Sequence, residues 1–284
     1  MRRALWLLTF FVVVLLGVGI YVAVRDERLP LEVPVGKGCQ AETDAGTLHL
    51  YPEQMANAAT IAAVGLVNGV PDQGIVIALA TAMQESDLYN LTGGDRDSIG
   101  LFQQRPSMGW GRAEDVGNPR YAAGAFYRQL LLTRGWEEMR VTEAAQAVQR
   151  SAYPEAYQKW ADEARILGEA LVGTHATAIT CVKVGEPTLR GADAAQALVA
   201  SLSADWGETV GTPAATDVTT LSLVAGHERG GWQLAHWLVA HSADQNVSRV
   251  RFGDQEWTIH SGEWSKVPPS ADGALVVVAD VYPA

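Results

Sequence analysis

Directly after Met1, Arg2 and Arg3 comes a run without a single charge, ALWLLTFFVVVLLGVGIYVAV, from Ala4 to Val24. As a helix rising about 1.5 Å per residue it would measure about 30 Å, the thickness of a bilayer's hydrocarbon core. A cleaved signal peptide has a shorter apolar centre and a small-x-small cleavage site. This run ends in YVAVRDER, so residues 1–25 read as a cytoplasmic end and an uncleaved transmembrane helix. The two arginines on the amino side hold that end in the cytoplasm and send the rest outward. The expectation is a single-pass membrane protein with its bulk extracytoplasmic.

That compartment gives meaning to the two cysteines, Cys39 and Cys181. Outside the cytoplasm an even count points to a disulfide, and PVGKGC before Cys39 lacks the apolar context of a lipid-modified cysteine. On the chain-entropy account, closing a loop of about 140 residues stabilises by roughly 4 to 5 kcal/mol. Asp and Glu outnumber Lys and Arg, 32 against 21, for a formal charge of −11. No basic cluster offsets this, which argues against nucleic acid as a partner.

Beyond the anchor, residues 26–45 carry charges, two prolines and glycines without a sustained period and read as a stalk. Helical patterns follow. The stretch from Tyr51 has Pro52 in a first-turn position and stops at Asn68-Gly69; the next runs from VPDQ through Ile75, Val76, Leu79, Ala82 and Met83 to Glu85. A loop rich in Gly, Asp and Asn extends from Asp87 to about Asn118. Three more helices are predicted, from Asn118-Pro119, from Thr142, and from Pro154 to Gly173. Residues 46–181 thus form a mainly α domain. Residues 182–215 form a helical connection, and residues 216–284 a small α+β domain whose strands are DVTTLSLVA, VSRVRF, EWTIH and ALVVVADVY.

Glu85 is the carboxylate with a distinctive setting. A carboxyl taken from water into an apolar wall holds its proton to higher pH, because desolvation disfavours the charged form. Cleaving a glycosidic bond requires such a proton beside the leaving oxygen. The segment GLFQQRPSMGW follows closely enough to fold back over Glu85. Phe102, Met108 and Trp110 offer apolar wall or stacking surface, and Gln103 and Gln104 offer amides to sugar hydroxyl or acetamido groups.

Glu85-Ser86, then Gly100-Leu101-Phe102-Gln103, then Ala152-Tyr153 resembles the three motifs of soluble lytic transglycosylases and goose-type lysozymes, which are Glu-Ser, Gly-Leu-Met-Gln and Ala-Tyr-Asn. The stretch from about Tyr51 to Cys181 looks particularly like membrane-anchored actinobacterial cell-wall transglycosylase-like proteins. The resemblance implies a lysozyme-like helical fold acting on the bond between N-acetylmuramic acid and N-acetylglucosamine in peptidoglycan glycan strands. It makes Glu85 the single acid and base, with Ser86 orienting it, Gln103 in the groove and Tyr153 beside the carboxyl. Two positions depart from the pattern: Phe102 stands for Met, and Pro154 stands for Asn, removing an amide.

Other readings come from different classes. A hydrolase would need a water-positioning carboxylate, for which Asp95 and Asp97 in GGDRDS are the candidates, although Asp in a Gly-rich loop more often makes turn hydrogen bonds. Arg96 and Arg105 pair with these or meet a muramoyl carboxylate. A catalytically inactive peptidoglycan-binding or scaffolding protein is the alternative to an enzyme. No cofactor is implied. No metal is expected either, since His227, His236, His241 and His260 lack ligand spacing and His236 and His241 lie five apart on a predicted helix. The last domain weakly resembles the final helix and strands of cell-wall domains related to D,D-carboxypeptidases, without their metal ligands. Its Trp232, Trp237, Trp257 and Trp264 make either a ligand surface or a core.

Overall fold

The computed structural model describes residues 38–151, 153–207, 214–215, 219–269 and 275–284. The predicted anchor and most of the stalk lie outside the described residues, as does Ala152. Among the described residues no helix is long and apolar enough to cross a membrane. They form a mixed α/β fold of eight helices and two antiparallel sheets.

The first sheet corrects the stalk. Its end, instead of running on without structure, is strand β1 (Cys39–Thr43), which turns at Asp44-Ala45 into β2 (Gly46–Leu50). On its other side β1 pairs with β3 (Ile179–Cys181), in the order β2-β1-β3. Alternation was hard to read there because only Cys39 and Ala41 turn inward. Cys39 is registered opposite Cys181, and the two form the expected disulfide across 142 residues.

Between these cysteines lie α1 (Pro52–Val67), α2 (Asp72–Ser86), α3 (Ala113–Val116), α4 (Pro119–Leu132), α5 (Val141–Gln149) and α6 (Ala161–Leu171). Helix α2 is buried on every side from Gly74 to Met83, and α1, α4, α5 and α6 pack around it. A helix apolar all round belongs in a core; polarity returns only at its last turn. The helix predicted from Pro154 begins at Ala161 instead. Residues before it form turns and a short 3₁₀ segment, Gln158–Trp160. Side chains of this irregular stretch bind the end of α2: Trp160 Nε1 donates to Gln84 Oε1 at 3.0 Å, and Tyr157 reaches Glu85.

After β3 come α7 (Gly191–Trp206) and then β4 (Ala214–Ala215), β5 (Thr220–Val224), α8 (Glu228–Ala240), β6 (Val247–Phe252), β7 (Gln255–Thr258), β8 (Trp264–Lys266) and β9 (Val276–Val281). The six strands form one sheet in the order β4-β5-β9-β6-β7-β8. One hydrophobic core runs without a break from the helices around α2 into this sheet, and the described residues form one compact unit. The tryptophans weighed as a ligand surface sit inside: Trp237 and Trp257 are fully buried, Trp232 nearly so. Half-buried Trp264 donates its Nε1 to the Ile179 carbonyl, tying β8 to β3.

Two polar joints cross the boundary expected near residue 181. Fully buried His236 accepts from the Ala178 amide at Nε2 (3.0 Å) and donates from Nδ1 to the Ala170 carbonyl (2.8 Å). Burial holds its pKa down to about 4, so it stays neutral. The second joint is Asp205 on α7, buried among four elements. It accepts from Thr60 Oγ1 of α1 at 2.9 Å, from Trp237 Nε1 of α8 at 2.8 Å and from Arg120 Nε of α4. His241 follows α8, with Nε2 3.8 Å from Asp205 and Nδ1 2.9 Å from Asp244. Burial alone would push the His241 pKa down, but the Asp244 and Asp205 carboxylates outweigh it and raise it.

Candidate functional site

Glu85 occupies the last turn of α2, where the buried helix meets the surface, and is half-buried. Tyr157, fully buried, donates its hydroxyl to Glu85 Oε1 at 2.7 Å. The side chain of Gln149, the last residue of α5, also favours the charged Glu85 carboxyl, while its Nε2 donates to the Phe102 carbonyl at 2.8 Å. Both partners are neutral. Desolvation outweighs their hydrogen bonds and raises the Glu85 pKa above the ordinary glutamate value. The partial negative charge at the carboxy-terminal end of α2 acts in the same direction. Burial and the neighbouring carboxyl likewise raise the Tyr157 pKa, so the phenol keeps its proton and remains a donor.

The wall of the site is the loop from Leu91 to Arg112, held down by residues of the first two motifs. The Ser86 hydroxyl donates to the Leu101 carbonyl at 2.7 Å, with the Ala82 carbonyl at 3.1 Å. It therefore fixes the loop to α2 through the backbone. Gly100 takes φ 80°, and a Cβ there would stand 2.4 Å from the Val116 carbonyl oxygen, so only glycine fits. Ile99 and Gln104 pair as an isolated antiparallel bridge.

Several residues assigned to the groove face elsewhere. Phe102 is fully buried and stacked on Phe126 at 4.9 Å between centroids, so it fills the core, not the cleft wall. Gln104 is equally buried and donates to the Ala122 carbonyl at 3.1 Å, which corrects its role as a sugar ligand to that of a loop anchor. Gln103 is half-buried, with Nε2 on the Gly100 carbonyl at 3.1 Å. Trp110 is half-buried against the core, and its carbonyl accepts from the Tyr121 hydroxyl. Met108 is exposed.

The loop carboxylates make turn contacts. Asp97 accepts from Arg105 Nε (2.8 Å), the Ser107 amide (2.8 Å) and the Ser107 hydroxyl (3.0 Å). These donors, Arg105 foremost, hold its pKa well below the usual carboxylate range. Asp95 is almost fully exposed, 4.0 Å from Arg96. Among the described residues no group of three or more His, Cys, Asp or Glu side chains is arranged to hold a metal.

The third motif needs correction. Tyr153 is 71% exposed, and the phenol on Glu85 belongs to Tyr157. The Ala-Tyr pair occurs twice, at 152–153 and again at 156–157, and the second copy is followed by Gln158, not by a proline. That repeat was the available signal for Tyr157. Gln149 had none, since nothing distinguishes it from Gln146 before the fold is known.

No protein-family model matches this chain, and no curated protein sequence is detectably similar to it.

Proposed function

We propose that the protein cleaves peptidoglycan glycan strands as a lytic transglycosylase, with Glu85 as its single general acid and base. The observation that carries the reading is a half-buried carboxyl that meets, among the described residues, a neutral phenol and a neutral amide as its donors. Such a group holds its proton to higher pH than an ordinary glutamate does. It gives that proton to the oxygen linking N-acetylmuramic acid to N-acetylglucosamine as the C1–O bond breaks. The carboxylate, steadied by Tyr157 and Gln149, then removes the proton of the muramoyl 6-hydroxyl while O6 bonds to C1. An anhydro ring closes and Glu85 is reprotonated, with no water consumed. Reading the third motif at Ala156-Tyr157-Gln158 keeps an amide after the phenol and removes the objection raised by Pro154. The commitment of Asp97 to Arg105 and Ser107 favours this route over hydrolysis, which needs a free base. The membrane anchor and the extracytoplasmic placement belong to the same proposal.

The test is mass spectrometry of muropeptides released from purified peptidoglycan by the full-length protein and by Glu85→Gln. Products ending in an anhydro sugar, one water lighter than a reducing end and absent with the variant, support the reading. Reducing ends would make the enzyme a muramidase. Binding of glycan without any product would make it a scaffold.

A further inference from the structure

Glu85 stands one residue before the end of α2, so its direction depends on how that helix is terminated. The termination is unusual. Asp87 and Leu88 both have left-handed backbones, with φ of 54° and 60°, a region disfavoured for residues that carry a Cβ, and no glycine relieves either position. Within the turn, the Asp87 amide donates to the Met83 carbonyl at 3.0 Å and the Leu88 amide to the Ala82 carbonyl at 3.2 Å. The outward carbonyls are taken by a different element. Gln54 Nε2 donates to the Asp87 carbonyl at 2.9 Å and Asn57 Nδ2 to the Leu88 carbonyl at 2.8 Å. These amides lie three apart on α1, the spacing of side chains on neighbouring turns of one face. Gln54 is itself fixed, because its Oε1 accepts the Tyr51 amide at 2.9 Å. It is also buried, where an amide without partners would be costly. Leu88, 1% exposed, plugs the turn into the core from beneath.

We propose that Gln54 and Asn57 are positioning residues for Glu85: they hold the left-handed turn that ends α2 and so set the depth of the carboxyl against Tyr157 and Gln149. This rests on the reading of Glu85 as the acid, although the placement itself does not require turnover. If the clamp opens, the last turn of α2 frays first, since it is held by the fewest intrahelical bonds, and Glu85 swings outward into water.

The experiment follows the Glu85 side-chain carboxyl carbon by NMR through a pH titration of the full-length protein, in wild type, Gln54→Ala and Asn57→Ala. Val277→Ala, a cavity in the distant sheet, serves as an equally destabilising control. The expected result is a midpoint that falls toward that of an ordinary glutamate in both clamp variants and stays put in the control. Turnover should drop about tenfold in kcat with KM changed less than about twofold. If Asn57→Ala does not fold, Asn57→Ser, whose hydroxyl is too short to reach the Leu88 carbonyl, makes the same measurement. Midpoints unchanged in the clamp variants, or moved equally in the control, overturn the proposal. Turnover surviving Glu85→Gln overturns the enzyme reading instead.

Discussion

Asp205 and Glu85 are both drawn away from water, and they are built in opposite ways. Asp205 meets a guanidinium, an indole, a hydroxyl and a histidine, gathered from α1, α4, α8 and the residue after α8. Among the described residues, Glu85 meets a phenol and an amide. A carboxylate compensated by a cation is a joint, because its charge is the point of the arrangement and removing it strands a buried partner. A carboxyl given neutral donors is under no such obligation, and it can take up or release a proton without tearing the structure. The contrast separates stability from chemistry, and each side can be attacked alone.

The largest effect is expected from Glu85→Gln, which should lower cleavage at least about 10³-fold, equivalent to about 4 kcal/mol of barrier. The same substitution should raise the melting temperature. Because the folded pKa of Glu85 is raised, its contribution to stability is complete below the unfolded value and lost as pH climbs through the folded one. The stabilisation by glutamine should therefore be larger at pH 8 than at pH 4, measured by thermal melts. Asp205→Ala should do the reverse. It is expected to cost about 3 kcal/mol of stability in urea titrations, toward the low end for a broken buried pair because Arg120 keeps partial access to water. Cleavage per folded molecule should hardly change.

Tyr157→Phe should have an intermediate effect, about tenfold on cleavage. It removes a donor that lowers the Glu85 pKa, so the limb of the pH–rate profile set by Glu85 should move to higher pH; a downward shift would break the assignment. The smallest effect belongs to His241→Gln. The raised His241 pKa makes its stabilising charge present below about pH 6.5 and lost as pH rises through the folded value. Melts between pH 6 and 9 should show a shallower slope for the variant than for wild type.

The parts legible in the sequence were those whose signal is local. The apolar run of α2 and its end at Glu85-Ser86 can be read from the residues themselves. The pairing of the cysteines could be read from their even number and the compartment expected from the apolar run. What escaped depended on distance in the chain. Phe102 looked like cleft wall because it follows Glu85 closely, yet Phe126 claims it for the core. Gln104 looked like a sugar ligand, yet the Ala122 carbonyl claims it. Tyr157 lost to Tyr153 because one pattern fitted two positions four residues apart, and only the irregular stretch before α6 decides which phenol reaches the carboxyl. The strand at Cys39–Thr43 was hidden by having only two inward side chains.

The disulfide has a mechanical consequence. Cys39 and Cys181 are direct neighbours on β1 and β3, so tension applied between the amino end and the carboxy-terminal sheet crosses from one strand to the other over a single bond. The chain between them, residues 40–180, forms a side branch that carries no load. Pulling on the amino end would stretch the sheet while the helices around Glu85 stay slack, and reducing that one bond would route the same force straight through them.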